Sequence, residues 1–188
     1  MGTSFKIVVI EGPSGVGKDT LINGLINSAP NKYKKITSYT TREKRPHERE
    51  GELYHYIDQE TFLKKYENGD IFERTTRHGT YRGMSKSIIN DIIDNGLIAI
   101  KDVDIVGMHA IKAAYPNAVK TIFLTADKEI VKKRLEKRGD SVEDLAVRLQ
   151  DYDNIHKNIN QYDHIITNNH DPSEAITKAI EILKENKK

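Results

Sequence analysis

The chain reads as an α/β fold: a parallel sheet covered by helices on both faces. Three observations predict it. Strand-like and helix-like segments alternate along most of the sequence, and that alternation builds parallel sheets. The first apolar run, Phe5–Glu11, holds Ile7, Val8, Val9 and Ile10 in succession, as a strand buried on both faces does. A glycine-rich turn then leads from that strand toward a helix rather than into a hairpin.

In chain order, the helix after the turn is predicted near Lys18–Ser28, and a second short strand over Lys35–Tyr39. Residues 41–84 are polar and rich in Tyr, Arg and Gly. Strands over Leu53–Ile57 and Ile71–Thr75, with a helix near Gln59–Tyr66, make this stretch an expected insertion. Regular alternation then resumes. Ser85 caps a helix whose Ile88, Ile89, Ile92 and Ile93 share a face, and Asn95-Gly96 stops it. Leu97–Val103 and Val119–Leu124 are strands, with helices near Val106–Ala114 and Lys128–Lys137. A break at Arg138–Val142 precedes a long helix to about Asn158, and His164–Thr167 is the last strand. Asp171-Pro172-Ser173-Glu174 supplies an N-cap, a first-turn proline and a capping-box glutamate for the final helix.

Composition narrows the function classes. The 188 residues suit one domain with a small insertion. Apolar residues make up 37% and charged residues 31%, a globular rather than a disordered balance. No apolar run approaches the roughly 20 residues that a membrane span needs, and no secretory leader pattern opens the sequence. Cysteine is absent, which excludes disulfides, thiolate metal sites and cysteine nucleophiles. A cytoplasmic location is expected. The net charge of +2 is too balanced to imply a nucleic-acid partner; neither nucleic acid nor membrane is expected to bind, and the chain is expected to be a monomer or homodimer. Zinc-ligand spacings and the Gly-x-Ser-x-Gly elbow of hydrolases are also missing.

The turn itself carries chemistry. Gly12-Pro13-Ser14-Gly15-Val16-Gly17-Lys18 has the Walker A spacing between a strand and a helix. Its glycines let backbone N–H groups surround phosphate oxygens, and the helix N-terminus adds a positive dipole end. Lys18 supplies a point charge for the outer phosphates. The usual Ser or Thr after the lysine is replaced by Asp19, followed by Thr20. A carboxylate is a good hard ligand for Mg²⁺, so Asp19 and Thr20 are the candidate metal residues, with a helix-start aspartate as the plainer reading.

Beyond the loop, Ser38-Tyr39-Thr40-Thr41-Arg42, Arg45-Pro46, Gly51 and Tyr54 closely resemble the monophosphate-binding segment of guanylate kinases. The resemblance continues through Phe72-Glu73, His78-Gly79, Tyr81 and Gly83, then Asp102-Val103-Asp104 and Gly107. Arg134, Arg138-Gly139 and Arg148 resemble the family's lid, and Tyr162-Asp163 through Asn168 its last strand. It implies a P-loop NTPase fold with a core at 1–40 and 85–188, an acceptor-binding insertion at about 41–84 and a helical lid at about 134–152. It further implies the reaction ATP + GMP → ADP + GDP with Mg²⁺.

On that resemblance, the phosphate loop with Asn168 binds ATP. Arg42 and Arg45, with Tyr54, Tyr81 and Arg82, hold the acceptor, and Arg134, Arg138 and Arg148 close over the donor phosphates. Glu73 would read guanine: an ionised carboxylate only accepts, and guanine offers N1–H and the 2-amino group side by side. Ser38 would meet O6, and Asp104 the amino group.

The sequence also departs from the family pattern. Arg82 stands for an expected tyrosine, and Met84 for a hydroxyl expected at O6. His47 replaces a glycine, Val106 a frequent glutamine, Glu11 is unusual, and the lid is one residue short. Two alternatives therefore stay open: a relative acting on another phosphorylated acceptor, such as another nucleotide or ribose 1,5-bisphosphate, and a non-catalytic binding module.

Overall fold

The computed structural model describes residues 5–77 and 79–184. Five parallel strands form the main sheet: β1 (Ile7–Glu11), β2 (Tyr33–Lys35), β7 (Ile98–Asp102), β8 (Val119–Thr125) and β9 (His164–Thr167), in the order β2-β7-β1-β8-β9. Central β1 is buried along its whole length, which explains its unbroken apolar run. Its alternate side chains feed two cores. Val8 and Ile10 pack with α1 (Lys18–Ser28), α5 (Lys128–Arg138) and α7 (Pro172–Lys184). Ile7 and Val9 pack with α3 (Lys86–Asp94) and α4 (Ile105–Ala114). The predicted parallel sheet flanked by helices is thus present.

A second sheet, ordered β4-β3-β6-β5, comprises β3 (Ser38–Thr40), β4 (Tyr54–Tyr56), β5 (Ile71–Arg77) and β6 (Thr80–Ser85). Helix α2 (Gln59–Glu67) covers it through fully buried Phe62. Two readings of the sequence change here. The single strand expected over Lys35–Tyr39 is two strands in different sheets. Ile36 still hydrogen-bonds to Ile100 of the main sheet, whereas Ser38 already pairs with Tyr54 in the second. Strand β6 was not expected at all, because Arg82-Gly83 breaks any alternation. Its glycine is a packing requirement: a Cβ at Gly83 would stand 2.6 Å from both the Glu73 carbonyl oxygen and Ile71 Cγ2. The long helix α6 (Val142–His156) ends two residues earlier than expected, and a 3-10 turn over Ile159–Gln161 follows it. Among the described residues no helix is long and apolar enough to cross a membrane.

Candidate active site

The site lies at the carboxyl ends of β1, β7 and β9, where ligands bind in open α/β sheets. After Glu11 the chain turns through Gly12 to Gly17 and enters α1. Gly12 runs so close to β8 that a Cβ there would lie 2.0 Å from the Leu124 carbonyl oxygen. Gly17 caps α1 with φ 98°, a left-handed conformation, and no side chain occupies the cap. The free N–H groups of the first turn are therefore available to an anion.

A cavity of 370 Å³ opens over this turn. Ser14, Gly15, Gly17, Lys18, Asp19, Thr20, Arg134, Arg138 and Asn168 are among the residues lining it. Pro13 and Val16 support the loop without lining the cavity: Pro13 accepts from Lys18 Nζ (3.0 Å), and Val16 packs in the core with its carbonyl accepting from Asn168 Nδ2 (2.8 Å). Lys18 also donates to the Gly12 carbonyl (2.6 Å). Burial lowers the lysine's pKa, while the Asp102, Asp19 and Glu11 carboxylates oppose that shift.

Two of the lid arginines, Arg138 and Arg148, are already tied together through Asp140. Arg138 makes a forked pair with Asp140 (2.7 and 2.6 Å), and Arg148 Nε lies 2.9 Å from the same carboxylate. Arg148 Nη1 donates to Ser14 Oγ (2.8 Å), which links α6 directly to the phosphate loop. Arg134 Nη1 is buried with no hydrogen-bond partner.

A second cavity, of 270 Å³, gathers Ser38, Tyr54, Glu73, Arg82, Met84, Lys101, Asp102 and Asp104. Burial raises the Glu73 pKa, Asp104 raises it further, and Lys101 and the Met84 backbone N–H pull it back. Both Arg82 and Arg42 stack on the Tyr54 ring, with guanidinium carbons 5.1 and 5.7 Å from its centroid. Each arginine keeps a buried Nε without a partner. The Arg42 head, however, is forked onto Glu48 (2.7 and 2.9 Å), and that pairing holds the Glu48 pKa down at about 2.

Not every expected residue reaches the cavity lining. Arg42 stands behind Tyr54. Arg45 is exposed, and its backbone N–H binds Glu48. Tyr81 faces the other side of β6, its ring 5.4 Å from Phe62, because neighbouring strand residues point to opposite faces. Asp104 is partly committed, since its Oδ1 caps α4 by accepting from Gly107 N–H (2.8 Å). Met84 is 2% exposed and belongs to the core beside Ile36. His78 lies outside the described residues.

Three residues of the site were missed by sequence reasoning. Asp102 is the strongest counter-charge to Lys18. Lys101 is half-buried at the wall of the second cavity, and burial lowers its pKa to about 8. Glu11 lines a third cavity with Lys18, Asp102 and Asp104, so this cavity shares residues with both others. Asp102 was legible as part of the resembling Asp102-Val103-Asp104 segment but given no role, and Lys101 only as its neighbour at a strand end; Glu11 was noted as unusual without a role.

Mg²⁺ suits oxygen donors from one or two carboxylates plus phosphates rather than an all-protein cage. Among the described residues no group of three or more acidic or histidine side chains forms such a cage. The Asp19 carboxylate is 80% exposed, in the first turn of α1 beside Thr20. This donor set fits the ion.

Comparisons with known proteins show the family and the fold. The guanylate kinase family model matches residues 4–186. The guanylate kinase of Helicobacter hepaticus is 34% identical over 164 residues, covering 86% of this chain and 82% of its own. That of Trichormus variabilis is 33% identical over 181 residues, covering 96% and 89%. A crystal structure of guanylate kinase from Anaplasma phagocytophilum superposes with a TM-score of 0.70 at 27% identity, covering 97% of this chain and 86% of that one. That neighbour carries the P-loop NTPase fold that the Gly12–Lys18 segment implies. This chain belongs to the guanylate kinase family.

Proposed function

We propose that the protein transfers the γ-phosphoryl group of ATP to GMP, giving ADP and GDP. The observation that carries the reading is the pair of cavities joined by a third. One is a phosphate cradle rich in N–H donors and arginine. The other combines a half-buried carboxylate, Glu73, with a face of arginine and tyrosine suited to a phosphate. Residues Lys18, Asp102 and Asp104 are shared between neighbouring cavities.

Phosphoryl transfer leaves the protein little covalent chemistry; positioning and charge neutralisation carry it. In this reading the loop N–H groups and Lys18 hold the β- and γ-phosphates. Arg134, Arg138 and Arg148 neutralise the charge spreading over the transferred group. Arg148, through Ser14, couples lid position to the loop. Asn168 fixes the loop by gripping the Val16 carbonyl. Arg82 and Tyr54 bind the acceptor phosphate from the cavity wall, and Arg42 and Arg45 act with them if the Glu48 pair opens. Tyr81 contributes by packing Phe62 and α2 rather than by touching the acceptor. Glu73 accepts from guanine N1–H and the 2-amino group, Asp104 meets the amino group with its remaining oxygen, and Ser38 faces O6. Adenine offers an unprotonated N1 to Glu73, and leaving both groups unpaired costs up to about 10⁴-fold in selectivity.

Mg²⁺ would be held by Asp19, with Thr20, and would supply charge neutralisation for the donor phosphates. The second sheet, apart from β3, forms with α2 the acceptor-binding insertion (about 41–84), residues 1–40 and 85–188 are the core, and 134–152 the lid. A cytoplasmic location and a monomer or homodimer complete the reading.

The test is product identification. Incubation with ATP, Mg²⁺ and GMP should yield ADP and GDP in equal amounts, and Lys18→Ala or chelation of Mg²⁺ should abolish both. ADP release without GDP would refute the assignment.

A further inference from the structure

Lys101 is an odd residue for its place. It sits on β7 on the face that carries Ala99 into an apolar core with Ile36, Met84 and Ile89. An aliphatic side chain would fill that position at less cost, because a buried ammonium needs hydrogen bonds to offset desolvation. Lys101 Nζ has two: it donates to the Ile36 carbonyl (2.9 Å) and to Ser38 Oγ (2.9 Å). An ammonium carries three N–H donors. Among the described residues it has no carboxylate within ion-pair distance, although Glu73 lines the same cavity and feels its charge. The third donor is thus unassigned at the wall of the second cavity.

The other side-chain donors of that cavity are the hydroxyls of Ser38, Tyr54 and Thr75 and the Arg82 guanidinium. Met84 lines the cavity but, at 2% exposure and with a thioether side chain, offers no donor. The Ser38 hydroxyl accepts from Lys101, which orients it and leaves its own O–H to donate. Glu73 and Asp104 are acceptors, suited to the amino edge of the base, and no other charged donor serves the opposite edge: Arg82 is stacked on Tyr54. Resting on the GMP reading above, we propose that Lys101 is a specificity-determining residue that donates its free N–H to the 6-oxo group of the acceptor purine, taking over the contact that a hydroxyl at position 84 would make. The ammonium also orients Ser38, so the two donors form one unit. A 6-amino purine would bring a donor against this cation, so Lys101 and Glu73 reject adenine from opposite edges.

The test compares GMP with 6-thio-GMP, which keeps N1–H and the 2-amino group but offers a weaker sulfur acceptor. Wild type should prefer GMP in kcat/KM by about 10-fold or more, the usual worth of a hydrogen bond to a charged group. Lys101→Met should lower kcat/KM for GMP by about 10- to 100-fold, mostly through KM, and bring the GMP to 6-thio-GMP ratio close to one. Lys101→Gln, which keeps an N–H donor, should retain part of the preference. A KM increase in Lys101→Met with the ratio intact would assign Lys101 to packing and overturn the proposal. A wild-type ratio near one would overturn it whether or not the variant folds. Failure of wild type to phosphorylate GMP at all would instead remove the reading on which the proposal rests.

Discussion

Replacing Glu11 by glutamine should make the protein more stable at alkaline pH and leave it unchanged at acid pH. The Glu11 side chain is 5% exposed, and its Oε2 has no hydrogen-bond partner. Burial, reinforced by Asp104, raises its pKa from the ordinary 4.5 to about 7; Lys18 and the Ile105 backbone N–H oppose the shift only in part. Each factor of ten in proton affinity is worth about 1.4 kcal/mol, so the folded state carries a cost of about 3 kcal/mol once the group is ionised. The sign follows from proton binding. Between about pH 4.5 and 7 the folded chain holds a proton that the unfolded chain has released, so stability falls as pH rises through that window. Below it both states are protonated and nothing is lost; above it the full cost is present. Glutamine removes the titration. Denaturant unfolding of both proteins without nucleotide, at about pH 4 and about pH 8, reads the difference directly. The expected gain for Glu11→Gln is about 3 kcal/mol at the higher pH and near zero at the lower. A pH-independent difference would refute the argument, because it would mean that the carboxyl pays no ionisation cost in the fold.

Other perturbations separate the parts of the site. Gly12→Ala would push a methyl group into the Leu124 carbonyl at 2.0 Å; kcat/KM should fall at least about 100-fold, and calorimetry should show a loss of a few kcal/mol. Arg148→Ala severs the contacts to Ser14 and Asp140 at a partly exposed position, so kcat should fall about 10- to 100-fold with Tm almost unchanged. Glu73→Gln swaps one acceptor oxygen for a donor facing guanine; kcat/KM for GMP should drop about 100-fold or more while the KM for ATP stays within about 2-fold.

How much of this was legible in the sequence differs from one element to the next. The strand, loop and first helix around Lys18 were readable because three local signals agree: an unbroken apolar run, glycines at fixed spacing, and a helix beginning at the lysine. The junction between the sheets was not. Lys35 to Thr40 is one stretch of strand-compatible residues, and only pairing partners, Ile100 for Ile36 and Tyr54 for Ser38, reveal where one sheet stops. The Glu48 grip on Arg42 spans six residues of irregular loop, where no periodicity connects two charges. Tyr81 and Arg82 could be sorted to opposite faces only once β6 was known to be a strand. Lys101 hid for a similar reason: a lysine beside an aspartate at a strand end reads as a solvated terminus until β3 folds over it. The departures at Arg82 and Met84 were visible early, yet their consequence depended on that half-buried lysine.

The most direct measurement is acceptor selectivity. With ATP and Mg²⁺ fixed, kcat/KM is measured for GMP, dGMP, IMP, AMP, UMP, CMP, dTMP and ribose 1,5-bisphosphate. The account predicts GMP and dGMP as the best acceptors, IMP weaker because it lacks the amino group that Glu73 reads, and AMP lower than GMP by about 10³-fold or more. Preference for a pyrimidine nucleotide or for ribose 1,5-bisphosphate would contradict it, and would mean that Arg82, Met84 and Lys101 shape the cavity for a different molecule.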